Sequence, residues 1–480
     1  MSSSRPPLGR LAGAGTAAAT LAATAAATVA ALGRALDREC PDSATPLGWR
    51  CFQLGVFVLP SSALFAALLL LVALVQGSRA GWRGWWRDPV NRVLALVALL
   101  MGFGALLAGG LPGYQPWLAW VGLFNWLPFF WGFWGFQAYL RGAEARRRVA
   151  QWLVAGTVPV VVTGLGQLLF GWSGPWQMLG GLVIWHLQAG GRPEGRLSGL
   201  FDYANITAAW LSLSWPLLLA ALLACRERWR AADAPAEARD GRGRALVALL
   251  IVLTMAIAQV AALYLTDSRN AWGALLLALP IVAGPASWLW LLPLLALALL
   301  PVLLASLPAV PPVLQDPSRS LVPEAVWGRL SDLQHHGDRD LASLRLTQWS
   351  VALGLIAERP WLGWGAAAFG VLYPLRTGSW HGHPHNILLD LAVSHGLPAA
   401  LLLAGFVLAL LLRAARAGMA TGPLFERAWW AAVLVLVALH ATDIPMYDSR
   451  INIAGWILLA GLRCHRPSSE ARELPATTGS

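Results

Sequence analysis

Lysine does not occur in this chain; every one of its 35 basic residues is arginine. Charge of either sign is scarce, at 12% of residues, where soluble globular proteins carry about 25%. Hydrophobic residues make up 57%. That balance excludes a soluble globular domain. The period-2 alternation of a transmembrane barrel is not evident either, which leaves helices as the way to cross a bilayer. Runs of roughly 20 apolar residues, enough to span the hydrocarbon core, recur along the chain. The expected fold class is therefore all-α, a polytopic membrane protein. The formal charge of +11 does not point to nucleic acid, because the arginines lie mostly in short loops between apolar runs, where they set topology. Their uniform choice over lysine reads as an arginine-biased genome.

The apolar runs fall at about 52–76, 93–110, 117–140, 149–170, 203–224, 245–265, 271–285, 286–306, 398–413, 427–442 and 451–463. Residues 11–32, uncharged but rich in Ala and Thr, make a marginal first span, with a cleaved signal peptide or a surface helix as the alternatives. With it, about 12 spans are expected. Arg79, Arg83, Arg87 and Arg92 then share one loop, Arg141 and Arg146 to Arg148 a second, Arg226 to Arg244 a third, and Arg413, Arg416 and Arg427 a fourth. Positive residues favour the cytoplasm, so this alternation predicts both termini inside. Residues 1–306 hold about nine spans, 307–397 a long outer loop, 398–463 the last three spans, and 464–480 a cytoplasmic tail that looks disordered. Cys40 and Cys51 fall in an outer loop, where a disulfide and two free thiols are equally open readings.

The long loop is where chemistry is expected, since connections of that length are usually functional or disordered. Leu341, Leu344, Trp349, Leu353 and Ile356 recur at helical spacing and predict an amphipathic surface helix ended by Pro360. SWHGHPHNILLDL follows, with His381, His383 and His385 at alternate positions. Pro384 biases His383 away from helical angles. Asn386 is a favourable N-cap, with Gly396 a plausible C-cap. His385 thus sits ahead of a helix amino terminus, whose dipole disfavours imidazolium and suits a neutral base. Two other readings stay open: a metal site built from alternate imidazoles, and structural histidines at the interface. No nearby Cys or HExxH-type partner completes a ligand set.

Two arginines flank apolar runs on the same expected side: Arg196 in RLSGLFDYANITAAW and Arg269 in YLTDSRNAWG. A guanidinium fork binds phosphate oxygens bidentately, which suits a lipid-linked diphosphate; snorkelling, or pairing with Asp202 or Asp267, is the plainer alternative. Asp443 and Arg450 in TDIPMYDSR border the same face, where an internal ion pair is the simplest role for them. Trp361, Trp364 and Trp380 lie near the histidines and suit sugar stacking.

The segments RLSGLFDYANITAAW, LTDSRNAWG, ERPWLGWG and HPHNILLDLAVSHGL, in that order over about residues 150–460, resemble the O-antigen ligase superfamily of bacterial polytopic glycosyltransferases. The resemblance implies transfer of a glycan from undecaprenyl diphosphate to an acceptor hydroxyl at the periplasmic face of the inner membrane, with no metal or other cofactor. It matches Arg196 and Arg269 to the family's diphosphate-binding arginines and His385 to its base, with His383 second. RPWLGWGAAAF, YPLR and HATDIPMYDSRINIAGW look like the branch once proposed to transport inorganic carbon. The expected reaction is therefore inverting, metal-independent glycosyl transfer, lipid A core being the expected acceptor. An O-antigen polymerase or a transporter of bicarbonate or another small anion is the alternative, and a non-catalytic lipid-binding scaffold a third. Arg196, Arg269 and His385 are expected to line one cavity.

Overall fold

The computed structural model describes residues 36, 38–79, 81–109, 113–231, 239–331 and 341–466. The stretch 11–32 and the tail from Pro467 to Ser480 lie outside the described residues. Helix accounts for 76% of the structure, with almost no sheet. Helices satisfy their own backbone N–H and C=O groups, which lipid cannot do.

The run at 52–76 is not one span. It is a helical hairpin, α1 Pro46–Val58 and α2 Ala63–Arg79. A Cβ at Gly55 would meet Leu70 and one at Gly48 would approach Gln76, so the two helices run antiparallel. The tight turn around Pro60 is hidden within an unbroken apolar run, which is why hydropathy alone merges the two. The hairpin also moves Cys40 and Cys51 to the opposite end from that expected. They lie with Gln53, which accepts from Trp152 and Arg148, and near Tyr139, which donates to the Ala73 carbonyl at 2.6 Å. Neither is in a disulfide.

The chain continues through α3 Pro89–Leu107, then α4 Trp117–Gly122 and α5 Leu127–Gly135, which together occupy the expected single span 117–140. Between them the chain tightens into a 3₁₀ turn, Leu123–Asn125, and the Asn125 carbonyl accepts from Asn452 at 2.9 Å, so the interruption leaves that group satisfied. After α6 Ala143–Leu169 comes a small antiparallel hairpin, β1 Trp176–Met178 and β2 Val183–Trp185. Then follow α7 Ala204–Ala231, α8 Arg239–Leu265, α9 Arg269–Ala283 and α10 Trp288–Ser306. The remaining helices are α11 Pro312–Leu321, α12 Glu324–Ser331, α13 Arg345–Glu358, α14 Ala368–Thr377, α15 Ile387–Arg416, α16 Leu424–His440 and α17 Ser449–Cys464. Among the described residues, six helical segments are long and apolar enough to cross a membrane: Pro89–Leu107, Ala143–Leu169, Ala204–Ala231, Gly241–Leu265, Pro285–Ser306 and Ile387–Arg416. Two shorter ones, α2 and α9, are also apolar.

Arginine-bearing loops far apart in sequence gather at one end of the bundle. Arg146, 4% exposed, grips Glu426 through Nε at 3.0 Å and Nη2 at 2.8 Å, and His465 reaches the same carboxylate at 2.8 Å. Arg463 bonds Asp88 at 3.0 Å, and Arg427 donates to the Val282 carbonyl. Buried charge of this kind persists only when paired.

In the long loop, α13 forms as expected but buries a different face: Gln348, Ala352, Leu355 and Ile356. Leu341 and Leu353, expected on the face toward the membrane, are 74% and 58% exposed. Small Ala352 permits close packing on α15, and the leucines turn outward. The helix ends at Glu358, just before the Arg359–Pro360 step.

Helix α15 breaks at Gly396 (φ +83°). With Leu397 turned away and Pro398 lacking an N–H, the carbonyls of Val393 and Ser394 lose their helical partners. They accept instead from Trp364 N at 2.8 Å and Gly365 N at 3.0 Å, while Leu397 N donates to the Pro360 carbonyl at 2.8 Å. A Cβ at Gly396 would stand 2.1 Å from the Trp361 carbonyl oxygen, so glycine is required there. The ERPWLGWG motif is thereby stitched into the break.

Candidate active site

The Arg196 segment is held from two sides. Gln167 of α6, 1% exposed, accepts from Gly199 N at 2.8 Å and Ser198 N at 3.1 Å and donates to the Gln188 carbonyl. Leu197 N pairs with the Leu265 carbonyl at the end of α8. A Cβ at Gly191 would stand 1.9 Å from the Arg196 carbonyl oxygen, so this crossing also needs glycine. The guanidinium then donates through Nε to the Thr266 carbonyl at 2.8 Å and through Nη2 to Oδ1 of Asn205 at 2.7 Å. Arg269 is the first residue of α9, three positions beyond Thr266. Arg196 is thus hydrogen-bonded to the α8–α9 turn from which Arg269 begins α9, beside a helix amino terminus that favours anions.

Asn205 carries the contact onward. Its Nδ2 donates to Oδ2 of Asp443 at 3.2 Å, and Oδ1 of Asp443 lies 2.9 Å from Nδ1 of His385. Ile444 N also donates to Asp443, at 2.9 Å. A continuous chain thus runs from Arg196 through Asn205 and Asp443 to His385. Burial acts to raise the Asp443 carboxyl, but the hydrogen bond and charge of His385 outweigh it and hold it at about 2. An ionised Asp443 accepts from Nδ1–H of His385 and so orients the ring, with Nε2 as the nitrogen not engaged by the carboxylate.

The histidines occupy distinct places. His385 adopts φ +51°, unusual for a residue with a side chain. Its N–H donates to Nδ1 of His383 at 3.2 Å. Burial first, then the neighbouring His385, pushes His383 down to about 4, so it stays a neutral brace whose Nδ1 lone pair is already used. His381 meets the Tyr373 ring edge-on, with centroids 5.5 Å apart. Asn386 caps α15, accepting from Leu389 N at 3.1 Å, and donates to the Ala441 carbonyl at 2.9 Å, tying this loop to the one bearing Asp443. Trp349 of α13 donates to the Pro384 carbonyl at 2.9 Å.

Two expectations change. Asp443 and Arg450 are not each other's partners. Arg450 forks onto Asp448 through Nε and Nη2, donates to the Leu200 carbonyl at 2.7 Å and lies 3.8 Å from the Phe201 ring centroid. The α17 N-cap at Asp448 holds its carboxylate next to Arg450. Trp364 is no sugar platform: it is 8% exposed and donates to the Leu355 carbonyl, whereas Trp361 and Trp380 are exposed. Asn205, Gln167 and the Tyr447–Asp390 hydrogen bond were not singled out from the sequence. Asn205 does lie in RLSGLFDYANITAAW, and a buried amide near a membrane face is the signal that marks it.

One donor set has the composition of a metal site. Donor atoms of His383, His385 and Asp443 lie within 4.8 Å of one another. In the present arrangement each already serves a hydrogen bond.

No curated protein matches the chain. The O-antigen ligase family model matches residues 254–404, a stretch that contains Arg269, His383, His385 and Asn386 and stops short of Asp443. That match supports the resemblance of this chain to the O-antigen ligase superfamily.

Proposed function

We propose that the protein is an inverting, metal-independent glycosyltransferase. It moves a glycan from an undecaprenyl-diphosphate carrier to an acceptor hydroxyl at the periplasmic face of a bacterial inner membrane, with lipid A core the expected acceptor. The observation that carries the reading is the chain Arg196–Asn205–Asp443–His385. It joins a cation suited to a departing diphosphate to an imidazole oriented as a base. His385 Nε2 takes the acceptor proton as its oxygen attacks the anomeric carbon. The carbon–oxygen bond to the diphosphate breaks, and Arg196 and Arg269 stabilise the charge released. Stabilising that charge is the larger contribution.

An apolar cleft supports the lipid half of the reading. It measures about 220 Å³ and runs between α15, α16 and α17, from Ile387 and Leu388 beside the histidines to Leu411 and Leu459 deeper in the bundle. A polyprenyl tail fits such a cleft while its head group reaches the arginines. In this reading the helices make about 12 crossings, now counted with α1 and α2 separate. The Arg146–Glu426 end is then cytoplasmic, and the loop 307–397 periplasmic.

No observation favours the transport reading. Gln259, the most polar residue of its span, is fully buried and donates sideways to the Leu211 carbonyl and Ser214.

The test is transfer by purified protein from a lipid-linked glycan to an acceptor. Comparing wild type with His385→Ala reads the base, and comparing lipopolysaccharide ladders from cells with and without the gene reads the acceptor. Wild-type rates in His385→Ala would sink the mechanism. Single-repeat products in the deleted strain would indicate a polymerase.

A further inference from the structure

The loop 196–205 has a second face. Where Arg196 and Asn205 turn toward Asp443, Asp202 lines a separate polar cavity of about 220 Å³ together with Ser61, Ser62, Trp185, His186 and Arg450. The walls come from the α1–α2 turn, the β hairpin and the start of α17. Trp185 fixes the junction of the first two, donating through Nε1 to the Ser61 carbonyl at 2.8 Å. Asp202 takes a left-handed backbone, φ +57°, an uncommon state that tends to persist at functional positions. Among the described residues its carboxylate accepts no hydrogen bond; the charges around it, Arg450, His186, Asp448 and Arg192, act on it through space.

The lining decides the class of ligand. Arg450 is already neutralised by Asp448 and occupied by the Leu200 carbonyl, so the cavity offers no spare cation, and Asp202 repels an anion. A single carboxylate beside a guanidinium is a poor seat for a divalent ion. What remains is one strong acceptor, an imidazole, two hydroxyls and an indole. That set recognises a neutral ligand bearing hydroxyls on one face and C–H on the other. The volume lies somewhat below the roughly 300–1,000 Å³ of clefts for larger ligands, which suits a single ring.

We infer that this cavity is a carbohydrate-binding subsite that holds one neutral pyranose unit, with Asp202 and His186 bonding its hydroxyls and Trp185 lying against it. Both this cavity and the His385 centre are walled by the loops 196–205 and 443–450, so one glycan can reach from one to the other. That the sugar belongs to the transferred or accepting glycan rests on the transferase reading; that the cavity binds sugar does not.

Full-length protein in lipid nanodiscs is titrated with methyl pyranosides of glucose, galactose, mannose and N-acetylglucosamine, followed by saturation-transfer NMR, with inorganic phosphate as the anionic comparison. The expected result is binding of at least one glycoside, weakened tenfold or more by Asp202→Asn and by His186→Ala and unchanged in His385→Ala. His186 is exposed, so its substitution keeps the fold, and melting curves check Asp202→Asn. No glycoside binding overturns the inference. Glycoside binding that survives both cavity substitutions, or that disappears in His385→Ala, overturns it as well, and so does phosphate binding lost in Asp202→Asn. Failure of His385→Ala to slow transfer leaves the subsite standing and removes only the mechanism.

Discussion

Nδ1 of His385 lies 2.9 Å from Oδ1 of Asp443, 58 residues further along the chain. The contact makes the two imidazole nitrogens unequal: Nδ1 holds the carboxylate, and Nε2 is the one that the proposed reaction uses.

Removing either partner should therefore slow transfer. His385→Ala is expected to lower kcat by roughly 10²–10⁴-fold, the usual worth of a positioned base. Asp443→Asn should cost a comparable factor, because an amide can accept from Nδ1–H through its oxygen or donate to a bare Nδ1 through its nitrogen, and so no longer selects one tautomer. The double variant should be little worse than the poorer single one. Steady-state kinetics on all three check this, and additive losses would show that the two residues act separately.

Arg196 donates in two directions from one planar group, to the Thr266 carbonyl and to Asn205. Lysine cannot reproduce that fork. Arg196→Lys is expected to reduce kcat/KM for the lipid-linked donor by roughly 10–100-fold, in line with the worth of a hydrogen bond to a charged group. Thermal melting should change little by comparison. Wild-type kinetics with lysine would mean that only a charge is needed there.

His383 gives the fold a pH dependence whose sign is fixed by its depressed value. It is held at about 4, against about 6.5 for a free histidine, so between those values the unfolded chain binds the proton and the folded one does not. Its contribution is complete above about pH 6.5 and is lost as pH falls toward 4, amounting to about 3 kcal/mol. Melting temperatures of wild type and His383→Gln should converge as pH falls through that window. Parallel curves would mean that another group titrates there.

Chelators should leave the transfer rate unchanged, while Zn²⁺ in the micromolar range should inhibit it by drawing His383, His385 and Asp443 out of their hydrogen bonds. His383→Gln should relieve that inhibition. A rate abolished by a chelator and restored by a divalent ion would reverse the assignment and make the same three residues metal ligands.

At the opposite end of the bundle, Glu426→Ala leaves Arg146 buried without its carboxylate and is expected to destabilise by about 3–5 kcal/mol. Glu144→Ala removes an exposed pair to Arg147, with side chains 64% and 29% exposed, and should change stability by less than about 1 kcal/mol. Unfolding in denaturant measures both. Equal effects would contradict the burial argument.

Composition made the helical fold readable, and the arginine loops pointed to one end before any contact was known. The α1–α2 hairpin was not readable, because hydropathy integrates over a window wider than the turn at Pro60. His385 stood out because imidazoles are rare in so apolar a chain, and Asn386 because capping is local. The partner of His385 was hidden for the opposite reason. Asp443 and Arg450 look like a pair in TDIPMYDSR, and only packing shows that the intervening turn sends one toward His385 and the other toward Asp448. Asn205 was hidden as well, since an amide between two charges has no periodicity to betray it.

The break at Gly396 has a consequence for assembly. The first half of α15, which presents His385, has its backbone completed by residues 360–365 rather than by its own next turn. These two pieces of chain are separated by only about thirty residues, so closing that loop costs little entropy, and the earlier piece leaves the ribosome first. It can serve as a template on which the histidine-bearing helix is laid down. The histidine-bearing loop then has no independent folding step, and a lesion at Gly363 or Gly396 would act as a defect of biogenesis, lowering the amount of protein in the membrane while the molecules that do mature turn over normally.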